Sequence, residues 1–172
     1  MQHSSALPVA RVFLRILILL NWLSGAAILA LLSATVVAEQ WTMTALGITP
    51  ESGIPVVLNG LRAIAALGVI AIPVNHIVLS RLLGIVETVR QGDPFVAANA
   101  RRLQAIAWGL VALQLLGIVI GAIGKAISTP ANPVDVEAGF SPGGWLAVLL
   151  AFILARIFAE GTRMRDDLEG TV

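Results

Sequence analysis

Long apolar runs, broken by short polar segments, dominate the chain. From Ile16 to Ala38 there are 23 residues without a charge. As a helix they extend about 34 Å, enough to cross a hydrocarbon core of about 30 Å. A second run occupies 61–80 and contains Pro73, Asn75 and His76. A third occupies 103–125 and has no charge from Leu103 to Gly124. The fourth, 143–159, includes Arg156. It spans if that guanidinium snorkels to the interface, as a long side chain near a helix end can do. None of the runs alternates as a strand would, and helices satisfy their own backbone groups in lipid. The pattern predicts an all-α polytopic membrane protein, one domain over 1–172, built as a bundle of four transmembrane helices. Val36 and Ala38 fit a small-residue cleavage rule, but the first run far exceeds the 7–15 residues of a signal-peptide core. It reads as a retained helix.

Charge fixes an expected orientation. Four spans put the N-terminus, the 81–102 segment and the 160–172 tail on one side. That side carries Arg11, Arg15, Arg81, Arg90, Arg101, Arg102, Arg156, Arg163 and Arg165, against Arg62 and Lys125 on the other. Nine against two predicts both termini in the cytoplasm, N-in and C-in. The opposite loops are acidic, with Glu39 and Glu51 in one and Asp135 and Glu137 in the other. Trp41 and Trp145 suit the outer aromatic belt, and Pro50, Pro55, Pro130, Pro133 and Pro142 punctuate loops.

Composition agrees. Hydrophobic residues make up 58% and charged residues 12%, and the mean hydropathy is +0.91. Soluble domains carry about 25% charged residues, so the apolar surface must face lipid, the expected partner. A net charge of +1 gives no electrostatic case for direct nucleic-acid binding. With no cysteine, disulfides, thiolate nucleophiles and cysteine metal sites are excluded. Ten Arg to one Lys, with much Ala, Gly and Val, hints at a GC-rich bacterial genome.

The 81–102 segment is the most informative. Leu82, Ile85, Val86 and Val89 recur at helical spacing, so the second helix continues past the membrane. Gly92 is a helix stop. Asp93 suits an N-cap and Pro94 the first helical position, which predicts a new helix from Pro94. Phe95, in that first turn, is placed to fold back on the apolar face of the preceding helix. Gly92, Asp93, Pro94, Phe95, Asn99 and Leu103 are therefore expected to form either a structural elbow pinned by Phe95 or, with the tail, a partner-contact surface.

Gly92, Pro94, Phe95, Asn99 and Leu103 form G-x-P-F-x-x-x-N-x-x-x-L between the second and third spans. The tail holds Phe158, Gly161, an acidic stretch and a terminal Thr171-Val172. On these motifs the chain resembles the bacterial membrane proteins of the domain of unknown function 2975, from the first span to the end. Family tails often run acidic-Asp-Leu-Thr-Val, whereas this one interposes Glu169 and Gly170. The resemblance implies four membrane helices and no established activity. It also implies a small helix-turn-helix regulator as a cytoplasmic partner.

Candidate chemistry is sparse. His3 is in the terminal segment, and His76 has no second ligand near it in sequence, so no metal site is expected. Asn21, Asn75, His76 and Arg156, with Glu160 one turn on, lie at similar depth and form a candidate intramembrane polar cluster. Arg156 and Glu160 stand at i, i+4 and can pair. Gln114 is near mid-membrane without an obvious partner. Ala26, Ala30, Ala34 and Ala38 form a small-residue ladder, and Gly117 and Gly121 a G-x-x-x-G; both allow close backbone approach, read as packing within the chain, with homo-oligomerisation the alternative. There is no nucleophile–base–orienter set, phosphate loop or intramembrane carboxylate, so no enzyme and no cofactor are expected. The leading expectation is a non-enzymatic regulatory or scaffolding membrane protein. The alternative is a small-molecule or ion permease subunit working as an oligomer.

Overall fold

A computed structural model describes residues 6–45, 54–130 and 138–169. Among them every regular element is an α-helix: α1 (Ala6–Val37), α2 (Glu39–Ala45), α3 (Ile54–Arg90), α4 (Ala97–Ile127) and α5 (Pro142–Glu169). The four apolar runs fall on α1, α3, α4 and α5, each long and apolar enough to cross a membrane. The chain is a multi-pass membrane protein. Its helices keep large apolar side chains such as Leu19, Leu23, Leu115, Val119, Leu149 and Leu150 exposed. Side chains of this kind lose nothing by facing lipid and would be costly against water.

Two elements differ from the sequence reading. The segment after the first run forms the 7-residue helix α2. Glu39 lies in its first turn, where a carboxylate suits the positive helix end. Pro55 and Pro142, expected in loops, sit in the first turns of α3 and α5, where a missing N–H leaves no helix bond unmade. Pro73 lies inside the 37 residues of α3, and the helix runs on past it. Pro50, Glu51, Pro133, Asp135, Glu137, His3 and the final Gly170-Thr171-Val172 lie outside the described residues.

Contacts divide the chain into two compact units. One draws on α1 up to Asn21, α3 from Val74, α4 up to Ala112, and α5. Leu14, Val78, Leu103, Ile106, Ala107, Val148, Ala151 and Ala155 form its core. A Cβ on Gly109 would come within 2.6 Å of Val78 Cγ2, so that glycine sets the α3–α4 approach.

The other unit takes the rest of α1, α3 and α4, with α2 and the segment up to Ser141. Val57, Leu58, Ala65 and Ile127 are buried there with Thr35 and Thr42. Arg62 donates to the Thr35 carbonyl and, at 3.1 Å, to Glu39. The Gly117–Gly121 stripe of α4 faces this chain's own backbone. A Cβ on Gly121 would meet Gly139 Cα at 2.9 Å, and one on Gly117 the Gly139 carbonyl at 3.8 Å.

The sharpest local signal is the end of α3. Gly92 has φ +88°. Its N–H reaches the Val89 carbonyl at 3.1 Å, and the Asp93 N–H reaches the Thr88 carbonyl at 3.2 Å. These are the two bonds of a Schellman cap, which needs a left-handed residue at the turn. Nothing lies within 4 Å of a Cβ placed there, so a side chain would meet conformational strain alone. Gly92→Ala should therefore destabilise the protein by about 1–2 kcal/mol in detergent unfolding. Gly143→Ala, in the first turn of α5 with the same open space, should be neutral or slightly stabilising. Equal effects of the two would remove the role assigned to the cap.

Candidate functional site

Residues 91–96 connect α3 to α4 as the elbow, and the helix after it begins at Ala97 rather than Pro94. The reason is Asn99. Its side chain is fully buried, and its amide nitrogen donates to the Pro94 carbonyl at 2.9 Å and to Thr88 Oγ1 at 2.7 Å. The Asn99 backbone N–H donates to the Val96 carbonyl at 2.8 Å. Residues 94–96 are thus held as a non-helical strap whose Pro94 and Val96 carbonyls are met by Asn99. Asp93 does not cap α4; its carboxylate pairs with Arg165 of α5.

Arg102 completes the Asn99 site. Its Nη1 donates to Asn99 Oδ1 at 2.8 Å and to the Gly84 carbonyl at 3.1 Å. The approach needs Gly84, since a Cβ there would meet Arg102 Nε at 2.9 Å. Thr88 Oγ1 accepts from Asn99 and lies 2.8 Å from the Ile85 carbonyl, to which it can donate. Both amide hydrogens and the amide oxygen of Asn99 are therefore engaged, the condition under which a buried amide is tolerated.

Phe95 also departs from expectation. Its ring lies against Phe158 of α5, with centroids 5.3 Å apart and planes tilted by 33°. This contact ties the elbow to α5, a helix that the local sequence pattern did not connect to it. A Cβ on Gly161 would come within 3.0 Å of Phe95 Cδ1. Gly161 opens the seat for the ring, one turn beyond Phe158. Both tail residues stood in the sequence motif, but nothing local linked them to Phe95.

Ion pairs extend the layer. Glu87 of α3 meets Arg90 at 2.9 Å and Arg11 of α1 at 3.6 Å. The elbow is thus tied to α5 by Phe95 and Asp93, and the end of α3 to α1 by Glu87. Leu103 is buried beneath.

Of the intramembrane cluster, Asn21 and Asn75 meet: Asn75 Nδ2 donates to Asn21 Oδ1 at 2.8 Å, joining α1 to α3. His76 follows on α3, half-buried. Arg156 instead lines a cleft between α4 and α5 with Arg101 and Gln104. Glu160 pairs with Arg163 at 3.7 Å, not with Arg156. Helical side chains lean toward the N-terminus, so Arg163 leans onto Glu160 while Arg156 leans away from it. Gln114 reaches the Ser141 carbonyl at 3.4 Å. Among the described residues no three His, Asp or Glu side chains are grouped to hold a metal ion.

A family model described as "Protein of unknown function (DUF2975)" matches residues 49–172, so α1 lies before the matched region. No curated protein and no solved structure matches the chain.

A double-mutant cycle tests the ring contact. Phe95→Leu and Phe158→Leu should couple by about 0.5–1.5 kcal/mol in detergent stability, the usual range for an aromatic pair. Protease cleavage in 91–96 should rise in both single variants. Additive effects with unchanged cleavage would show that the rings do not hold the elbow.

Proposed function

The chain belongs to the DUF2975 family of proteins of unknown function, and we propose that it is a non-enzymatic regulatory or scaffolding protein of the bacterial inner membrane. In this reading both termini, the elbow and the end of α5 face the cytoplasm. The docking surface for a soluble partner is the elbow together with the tail. By family resemblance that partner is a helix-turn-helix regulator.

One observation carries the reading: the elbow is fastened to the final helix by two contacts, Phe95 on Phe158 and Asp93 on Arg165. Two segments more than 60 residues apart in sequence are thereby held as one polar surface. Such a surface, outside the apolar spans, suits recognition by a protein better than passage of a solute. The nine-to-two distribution of basic residues supports its placement in the cytoplasm. The non-enzymatic reading follows from the want of a paired acid and base in the sequence.

Orientation is testable because the chain has no native cysteine. A thiol at Gln91 should be shielded from an impermeant reagent in intact cells, and one at Thr129 should be labelled. The reverse pattern would invert the topology. Co-purification from native membranes, read by mass spectrometry, tests the partner. A cytoplasmic protein should be recovered with the wild type and lost from Phe95→Ala at matched membrane abundance. Equal recovery from both would remove the elbow from the interface.

A further inference from the structure

We propose that the cleft between α4 and α5 binds an anionic phospholipid, its phosphate held between Arg101 and Arg156. The inference does not depend on the regulatory reading above. The cleft has a volume of about 410 Å³ and is lined by Arg101, Gln104 and Arg156, with Ala100, Phe152, Ala155 and Ala159 as its apolar part.

Three observations converge. First, both arginines line the cleft, and neither forms an ion pair with a described residue, whereas Arg11, Arg62, Arg90, Arg163 and Arg165 each face a carboxylate. Two like charges lining one cleft repel, and an anion between them turns that repulsion into attraction. Guanidinium forks match phosphate oxygens two at a time, and Gln104 adds a neutral donor.

Second, the remainder of the lining is apolar. Phe152 stands one turn before Arg156 and meets Trp108 edge-on, with centroids 5.4 Å apart at 89°. Trp108, one turn beyond Gln104, is 60% exposed. The order is charged head, amide, then aromatic along α4 (Arg101, Gln104, Trp108) and charged head, then aromatic along α5 (Arg156, Phe152). A phospholipid presents the same order: phosphate, glycerol ester, acyl chain. A free phosphate would use only the first part.

Third, Arg101 and Arg156 lie at the ends of apolar runs, on helices long enough to cross a membrane. Basic pockets between helices at that level are where anionic headgroups reside. A trapped lipid would also fill the groove between two helices of a single unit.

The test uses the purified full-length chain in detergent. Phosphatidylglycerol, phosphatidylcholine or inorganic phosphate is added, thermal unfolding is followed, and retained lipid is counted by native mass spectrometry. Phosphatidylglycerol should raise the melting temperature and remain bound, while phosphatidylcholine and inorganic phosphate should do neither. In R101Q/R156Q the affinity for phosphatidylglycerol should fall by about tenfold or more, the consequence of losing roughly 1.4 kcal/mol. In R163Q, whose arginine lies outside the cleft, it should not change. Both cleft arginines are exposed, so the double variant should fold. Should it not, R101Q and R156Q are measured singly, each with an intermediate loss. Equal retention of phosphatidylcholine, undiminished binding in the cleft variants, or a shift reproduced by inorganic phosphate alone would overturn the proposal.

Discussion

A primary amide with no access to solvent must find partners for two N–H groups and one oxygen, or the fold loses several kcal/mol. Asn99 is in that position, and much of the geometry around the elbow follows from how its partners are supplied. One N–H needs a carbonyl freed from helical bonding, and Pro94 provides it only while 94–96 stay out of the helix. The other needs a hydroxyl on α3, which fixes Thr88 opposite. The oxygen needs a donor, and Arg102 reaches it only because Gly84 leaves room on α3. A single satisfied side chain thus sets the register of α3 against α4 and the shape of the turn between them. Asp at this position would keep the acceptor but lose both donors, and Leu would leave the Pro94 carbonyl without its donor and Arg102 without one acceptor.

Contacts within each of the two units share a physical character. In lipid the hydrophobic effect does not distinguish one apolar helix face from another, so position is set by polar bonds and by small residues that admit close approach. Asn21 with Asn75, Arg62 with Thr35 and Glu39, and Asn99 with its neighbours provide the first. Gly84, Gly109, Gly121 and Gly161 provide the second, each receiving a specific group: a guanidinium, a valine methyl, a backbone turn, an aromatic ring. Specificity resides in these few positions, while the long exposed faces of Leu, Ile and Val contribute solubility in the membrane.

How much of this could be read from the sequence depended on range. The four apolar runs and the stop at Gly92 are local properties, set by composition and by one residue's φ preference, and they were legible. So was the gathering of Gly92, Pro94, Phe95 and Asn99 at one turn. The start of α4 was not. Asp93-Pro94 is a good helix opening by local rules, and it yields because Asp93 is claimed by Arg165, 72 residues away, and the Pro94 carbonyl by Asn99. The seat of Phe95 was hidden for the same reason, since Phe158 and Gly161 come from another helix. Arg156 and Glu160 matched a valid spacing, yet the lean of helical side chains favoured Arg163. Misreadings arose where a tertiary partner outbid a neighbour in sequence.

Arg102 is bound by an amide oxygen and a backbone carbonyl, and Asp93 holds Arg165 as an ion pair between partly exposed groups. The two attachments therefore answer differently to ionic strength. Added salt screens the second, at a Debye length of about 10 Å in 0.1 M and about 3 Å in 1 M. It scarcely touches the first, where a charge meets neutral dipoles at hydrogen-bond distance and partly out of solvent. Raising salt should thus release one of the tail's attachments to the elbow while leaving the turn itself folded. A surface fastened in this way has a part fixed by chemistry and a part adjustable by its surroundings.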